Sequence, residues 1–316
     1  MKKFMVAVVC IGLGTVFILD SAGMKAAVYD SVILCLNTIV PSLFAFLALS
    51  TFVVSSGLVK SNIAVFMLSI AGGYPIGAKL LSAQAAANPE HKRRCENMMM
   101  YCFCGSPALL VAITDYGIYV WASNAIACSI FAIICNLRKN SELTNVNVST
   151  PHALKSESFI YSVASAGNAL YHICLTIIAF SVILRTLEFV GVMRLLPDFA
   201  YAFIEITNLV DIKLSPAVTA GVASMGGLCI LFQIKAICKK HLRLHKFILA
   251  RIPIAILSGI ICHLLTRNIV VETIVENAVS PLRAEASSGG SIIASACLVI
   301  MSVMLLQTQK SPSSCK

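Results

Sequence analysis

Gly72-Gly73-Tyr74-Pro75-Ile76-Gly77-Ala78-Lys79 interrupts an apolar run over residues 63–87. The arms on either side are about ten residues each, too short to cross the ~30 Å of hydrocarbon in a bilayer as a helix at ~1.5 Å per residue. In lipid every backbone N–H and C=O must be paired. Irregular backbone at membrane depth therefore survives only where protein encloses it or where it faces a water-filled cavity. Gly72, Gly73 and Gly77 permit unwound backbone and Pro75 removes a donor, which leaves main-chain groups free to hold a polar solute. Close packing of helices is the purely structural use of the same small residues. The stretch predicts the tip of a re-entrant helical hairpin, unwound over residues 72–79. Lys60 before it and His91-Lys92-Arg93-Arg94 after it are basic, which places both ends of the hairpin on the cytoplasmic side.

The rest of the chain has the composition such a hairpin requires. It is 58% hydrophobic and only 12% charged over 316 residues, with a mean hydropathy of +0.88. Soluble domains are ~25% charged, so the chain reads as an integral membrane protein. The net charge of +10 is not a nucleic-acid face. Its Lys and Arg residues sit in short loops between apolar runs, where they set the orientation in the membrane. Cys10, Cys35, Cys128, Cys135, Cys174, Cys262 and Cys297 lie within apolar runs and read as small buried hydrophobes.

Apolar runs over residues 4–19, 28–58, 98–114, 116–137, 159–184, 217–234, 247–265 and 291–306 predict an all-α polytopic protein with about eight transmembrane helices. Pro41 and Pro253 are expected to kink the second and seventh of these. A second re-entrant hairpin, over residues 187–210, is broken at Pro197-Asp198 and again at Glu205-Ile206-Thr207-Asn208. The loop charges invert the second half relative to the first. The expected organisation is an N-terminal transmembrane helix over 1–27, with a signal sequence as the alternative reading of its Lys2-Lys3 and apolar run, a first repeat over 28–139, a cytoplasmic linker over 140–158, a second, inverted repeat over 159–267, and a C-terminal helix and tail over 268–316. Both termini fall on the cytoplasmic side of a cell membrane. Inverted repeats with broken helices meeting at the midplane are the usual construction of secondary transporters.

Few residues can carry chemistry. The substrate-binding candidates are Gly73, Tyr74, Pro75, Gly77, Lys79, Ser106, Glu205, Thr207, Asn208, Ser224 and Gly226, with Tyr74 and Asn208 facing one shared cavity. Lys79 either faces that cavity or snorkels to the interface. Glu205 and Asn208 contact the solute or a coupling ion, Na+ or H+, or else mark a hairpin end at the outer surface. Gln233 and Glu96 adjoin basic segments and are weaker candidates. Cys102-Phe103-Cys104 fails zinc-ligand spacing, so no metal site is expected. His172 and His263 read as hydrogen-bonded core residues. No enzymatic motif occurs in a usable context, and neither a catalytic residue nor a cofactor is expected.

Val40-Pro41-Ser42-Leu43-Phe44, the Gly73–Lys79 motif, Ser106-Pro107, Glu205-Ile206-Thr207-Asn208 and Gly226-Gly227-Leu228-Cys229 fall in the order found in the nucleoside-recognition, or Gate domain, membrane family. The chain resembles most its sporulation integral membrane protein YlbJ branch, over nearly its whole length after the first helix. The resemblance implies a polytopic protein of spore-forming bacteria, distantly related to concentrative nucleoside transporters. Two departures stand out. Phe103 and Cys104 precede Ser106 where the family tends to carry asparagines, and Leu209 follows Asn208 where it has glycine. Two functions follow as expectations. One is a permease for a small polar, nucleoside-like solute. The other is a non-transporting membrane factor in spore-envelope formation, acting through other sporulation membrane proteins.

Overall fold

The computed structural model describes residues 11–12, 14–55, 61–137, 156–238 and 241–276. All regular structure among them is helical: α1 (Ser21–Leu34), α2 (Val40–Ser55), α3 (Asn62–Gly72), α4 (Tyr74–Ala87), α5 (Lys92–Met99), α6 (Pro107–Ile113), α7 (Gly117–Leu137), α8 (Ser156–Phe189), α9 (Phe199–Ile204), α10 (Pro216–Met225), α11 (Gly227–Cys238) and α12 (His245–Glu276), with short 3-10 and π turns between some of them.

Five segments among the described residues are long and apolar enough to cross a membrane: Ser21–Val53, Gly117–Cys135, Phe159–Phe189, Pro216–Cys238 and His245–Arg267. Each coincides with one of the apolar runs read from the sequence. Their outward faces carry large apolar side chains, such as Tyr29, Leu36, Ile133, Leu249, Ile256 and Leu264, where a soluble protein would place charge. Over its described residues the chain is an all-helical membrane protein. Pro216–Cys238, with 56% of its window buried against 28–33% for the other spans, is the central element.

The count of eight spans is not reproduced among these residues. Residues 291–306 and half of 4–19 lie outside the described part of the chain, as does most of the linker 140–158. The run 98–114 is described, and it does not span. It ends α5 at Met99, stays non-helical through residues 100–106 and restarts as the seven-residue α6. Pro107, with no N–H to donate, fits the first turn of α6, where that donor would be unsatisfied in any case.

Two further expectations are corrected. The break in the first hairpin is one residue wide: Gly73, at φ 96°, ends α3, and α4 begins at Tyr74 with Pro75 in its first turn. Gly77 and Lys79 are therefore helical. The second hairpin does not repeat this layout, because residues 187–210 fold as the end of α8, the six-residue α9 and a 3-10 turn, Ile206–Val210. Pro197-Asp198 and Glu205 interrupt the stretch too often for a helical arm to grow.

Pro41 acts through its missing donor. A π turn, Cys35–Ile39, joins α1 to α2 just ahead of it, so the span widens by a residue instead of breaking. Pro253 is carried inside α12. Between membrane helices lipid supplies no hydrophobic drive, and association depends on close packing. α10 and α12 achieve it with glycine. A Cβ on Gly259 would stand 3.0 Å from the Ala217 carbonyl oxygen, and one on Gly221 would stand 3.5 Å from that of Ala255. His172 and His263 sit on exposed faces of α8 and α12 and not in the core, because their helices turn those faces outward.

Candidate functional site

Four interruptions of helix converge on one place, and glycines let them touch. At the first, a Cβ on Gly73 would stand 3.1 Å from Ser106 Cβ and 3.2 Å from Ser106 N, while one on Gly77 would collide with the Cys102 carbonyl. The first break thus lies against the second, the non-helical stretch ahead of α6. Ser106 is fully buried and caps α6, its hydroxyl accepting from Leu109 N at 3.2 Å. The third break is Gly226-Gly227, both left-handed at φ 81° and 72°, between α10 and α11. A Cβ on Gly226 would stand 2.6 Å from the Phe103 ring, and one on Gly227 would stand 3.2 Å from the Phe203 carbonyl oxygen. The fourth is Glu205, extended at φ −138°, between α9 and its following 3-10 turn.

Tyr74 ties the first break to the third. Its ring is buried and packs 4.8 Å from that of Phe103, and its hydroxyl donates to the Ala223 carbonyl at 2.7 Å. Ala223 lies in the last turn of α10, where carbonyls lack intrahelical partners, so the tyrosine satisfies a group that the break leaves open.

Arg251 holds the second break in shape. It is 1% exposed, reaches in from α12, and donates to the carbonyls of Phe103 (3.1 Å) and Met100. Its guanidinium also lies over the rings of Phe103 (4.8 Å) and Phe247 (5.2 Å). The charge is met by carbonyl dipoles and ring faces, and its Nε has no partner. Sequence reasoning passed over this residue, although the signal was present: an arginine inside the apolar run 247–265 is a functional hypothesis by default.

Between the first and fourth breaks lies a cavity of about 30 Å³, lined by Tyr74, Pro75, Glu205, Thr207 and Gln233 together with apolar residues that include Ile39, Leu109 and Ile177. That is room for one or two water molecules. Glu205 is 1% exposed. Its Oε1 accepts from the Thr207 N–H and the Thr207 hydroxyl, each at 3.2 Å, whereas its buried Oε2 has no partner. Glu205 lies outside the five spans, and burial raises its pKa above the ordinary glutamate value, opposed by the neighbouring Cys229 thiol and by Thr207. Gln233, ranked low from sequence because basic residues follow it, faces this cavity and donates from Nε2 to Cys229 Sγ at 3.5 Å.

The structure therefore brings together Gly73, Tyr74, Pro75, Ser106, Glu205, Thr207 and Gly226. It sets others apart. Asn208 does not line the cavity; its side-chain amide donates to the carbonyls of Glu205 (2.9 Å) and Tyr201 (3.4 Å) and braces its own turn. Lys79 is half-buried and donates to Thr51 and Ser165, both at 2.9 Å, pinning α4 to α2 and α8, so it neither lines the cavity nor reaches free to the interface. Ser224 is fully buried with an unpartnered hydroxyl and is not part of the cavity lining. Glu96 has a bracing role, its Oε1 accepting from Arg243 N at 3.0 Å.

A larger depression, of about 420 Å³, between residues 14–17 and α8 is lined by Gly14, Phe17, Ala179, Val182 and Ile183. No polar side chain faces it, and it is surface that lipid would cover. Among the described residues no three His, Cys, Asp or Glu side chains gather as metal ligands, and the ten cysteines are all free thiols. Compared with protein-family models, curated proteins and solved structures, the chain matches none.

Proposed function

We propose that the protein is a permease for a small polar, nucleoside-like solute, which passes through the cavity between Tyr74 and Glu205. One observation carries the reading: helix breaks from both sides of the linker meet around a buried carboxyl with an oxygen left unpartnered. Such convergence of broken helices at a polar site is how secondary transporters hold their cargo. The finer architecture belongs to the same proposal, namely about eight spans in an inverted repeat of the Gate-domain kind, with both termini cytoplasmic. A cavity of about 30 Å³ is far smaller than a nucleoside, so the present arrangement is the closed one, and cargo enters only when the Tyr74–Ala223 contact opens.

The tightness of that cavity also favours a second reading, in which the fold is a platform for other membrane proteins of the spore envelope and moves nothing. A thermal-shift screen separates the two. Purified protein is warmed with a panel of nucleosides and other small polar solutes. The permease reading expects one class to raise the melting midpoint, by ~2.7 kcal/mol of stabilisation at a hundredfold excess over Kd. It expects Glu205→Ala to abolish the rise. No shift across the whole panel would favour the platform.

A further inference from the structure

We propose that Glu205 is a proton-binding carboxyl, protonated while the breaks are closed on one another and deprotonated when the cavity opens to water. Its use as the ion site that drives solute movement rests on the permease reading; the protonation itself does not.

Both of the described hydrogen bonds to the Glu205 carboxyl come from Thr207 and fall on Oε1, while Oε2 stands unpartnered at a cavity wall that is mostly apolar. An ionised carboxylate there would leave charge on an oxygen without a donor, whereas a protonated one would not. Among the described residues no positive charge acts on the carboxyl. α11 presents the Cys229 thiol and the π turn presents Cys35, and neither thiol can offset a carboxylate's charge. α4 presents Tyr74, whose hydroxyl is spent on Ala223. The two buried or half-buried cations nearest in role are committed elsewhere, Lys79 to Thr51 and Ser165, and Arg251 to two backbone carbonyls.

A metal cation would also neutralise the site, but hard cations take about six oxygen ligands. The polar side chains of the wall are Tyr74, Glu205, Thr207 and Gln233, with Tyr74 already bonded and the other wall groups apolar. A proton needs only the carboxyl and a route for water, which opening of the Tyr74–Ala223 contact supplies. The step is then Glu205 COOH giving COO⁻ and a proton carried off by that water.

The test is infrared difference spectroscopy of the full-length protein in lipid nanodiscs over a pH series, reading the C=O stretch of protonated carboxyl groups. The expected result is a band that persists above the ~4.3 midpoint of an ordinary glutamate. Glu205→Gln should remove it and Glu96→Gln should leave it. An identical band in wild type and Glu205→Gln, or no such band in wild type, would overturn the proposal. So would loss of the wild-type band at constant pH when sodium replaces choline, since that assigns the site to a metal cation. Should Glu205→Gln fail to fold, Thr207→Val serves: deleting a donor to Oε1 should move the midpoint upward, and an unmoved midpoint would count against the assignment. The two readings fail separately. A titrating Glu205 in a protein that moves no solute sinks the permease alone, and transport with a non-titrating Glu205 sinks the proton site alone.

Discussion

The Tyr74 hydroxyl and the Ala223 carbonyl, 149 residues apart in the chain, are joined by a 2.7 Å hydrogen bond that closes the first break against the third. Removing the hydroxyl while keeping the ring isolates this bond. Tyr74→Phe leaves a buried carbonyl without its partner, a loss of ~1–3 kcal/mol. The melting midpoint of the purified protein should fall accordingly, and a variant as stable as wild type would show that the bond does not hold the breaks together.

Glycine substitutions should divide sharply by position. Gly73 combines φ 96° with a Cβ position only 3.1 Å from Ser106, so Gly73→Ala should cost ~1–3 kcal/mol. Gly167, inside α8, has nothing within 4 Å of the position a methyl group would take, so Gly167→Ala should be neutral or gain up to ~1 kcal/mol through helix propensity. Denaturation midpoints of the pair in one detergent check this, and equal effects would mean that Gly73 is not a constrained hinge.

Arg251→Met removes the donors to the carbonyls of Phe103 and Met100. Freed of the charge but left with two unsatisfied carbonyls, the protein should lose ~2 kcal/mol, within the usual range for one or two orphaned groups. Arg251→Lys should rescue only part of this, because an ammonium lacks the planar fork that spans both acceptors and stacks on Phe103. Full stability in the methionine variant would make Arg251 dispensable to the second break.

Burial raises the folded-state pKa of Glu205 above its value in the unfolded chain. The stability this provides is fully present below the unfolded value of ~4.3 and is lost as pH rises through the higher folded value, with a slope of up to ~1.4 kcal/mol per pH unit. Melting midpoints of wild type should therefore fall with rising pH across that window, and those of Glu205→Gln should not. Parallel curves would refute a raised pKa.

The membrane class and five spans were legible because hydrophobic length is a local property of sequence. So were the breaks: Gly73, Ser106-Pro107, Glu205 and Gly226 each interrupt helix where an apolar run contains glycine, proline or a carboxylate. What sequence could not yield was the range of each break and its partners. Gly72 to Lys79 looked unwound as a block, yet Pro75 is tolerated in a first helical turn, so one positive-φ glycine suffices. Polarity in apolar surroundings leaves two readings open for Lys79, cavity or interface, and two for Asn208, cavity or outer hairpin end, whereas each satisfies itself on nearby backbone or hydroxyl groups. The basic neighbours of Gln233 point to a cytoplasmic loop, yet the face a helix turns inward depends on tertiary packing, and Gln233 lines the cavity.

The central claim is that the Tyr74–Glu205 cavity is a solute path. Flux of radiolabelled nucleosides and other small polar solutes into proteoliposomes tests it most directly, comparing wild type, Glu205→Gln and the distant Gly167→Ala. Saturable uptake of one solute class by wild type and Gly167→Ala, at least ~10-fold reduced in Glu205→Gln (a loss of ~1.4 kcal/mol in transition-state terms), is the predicted result. Uptake that is absent from wild type across the panel, or unchanged by Glu205→Gln, would contradict it.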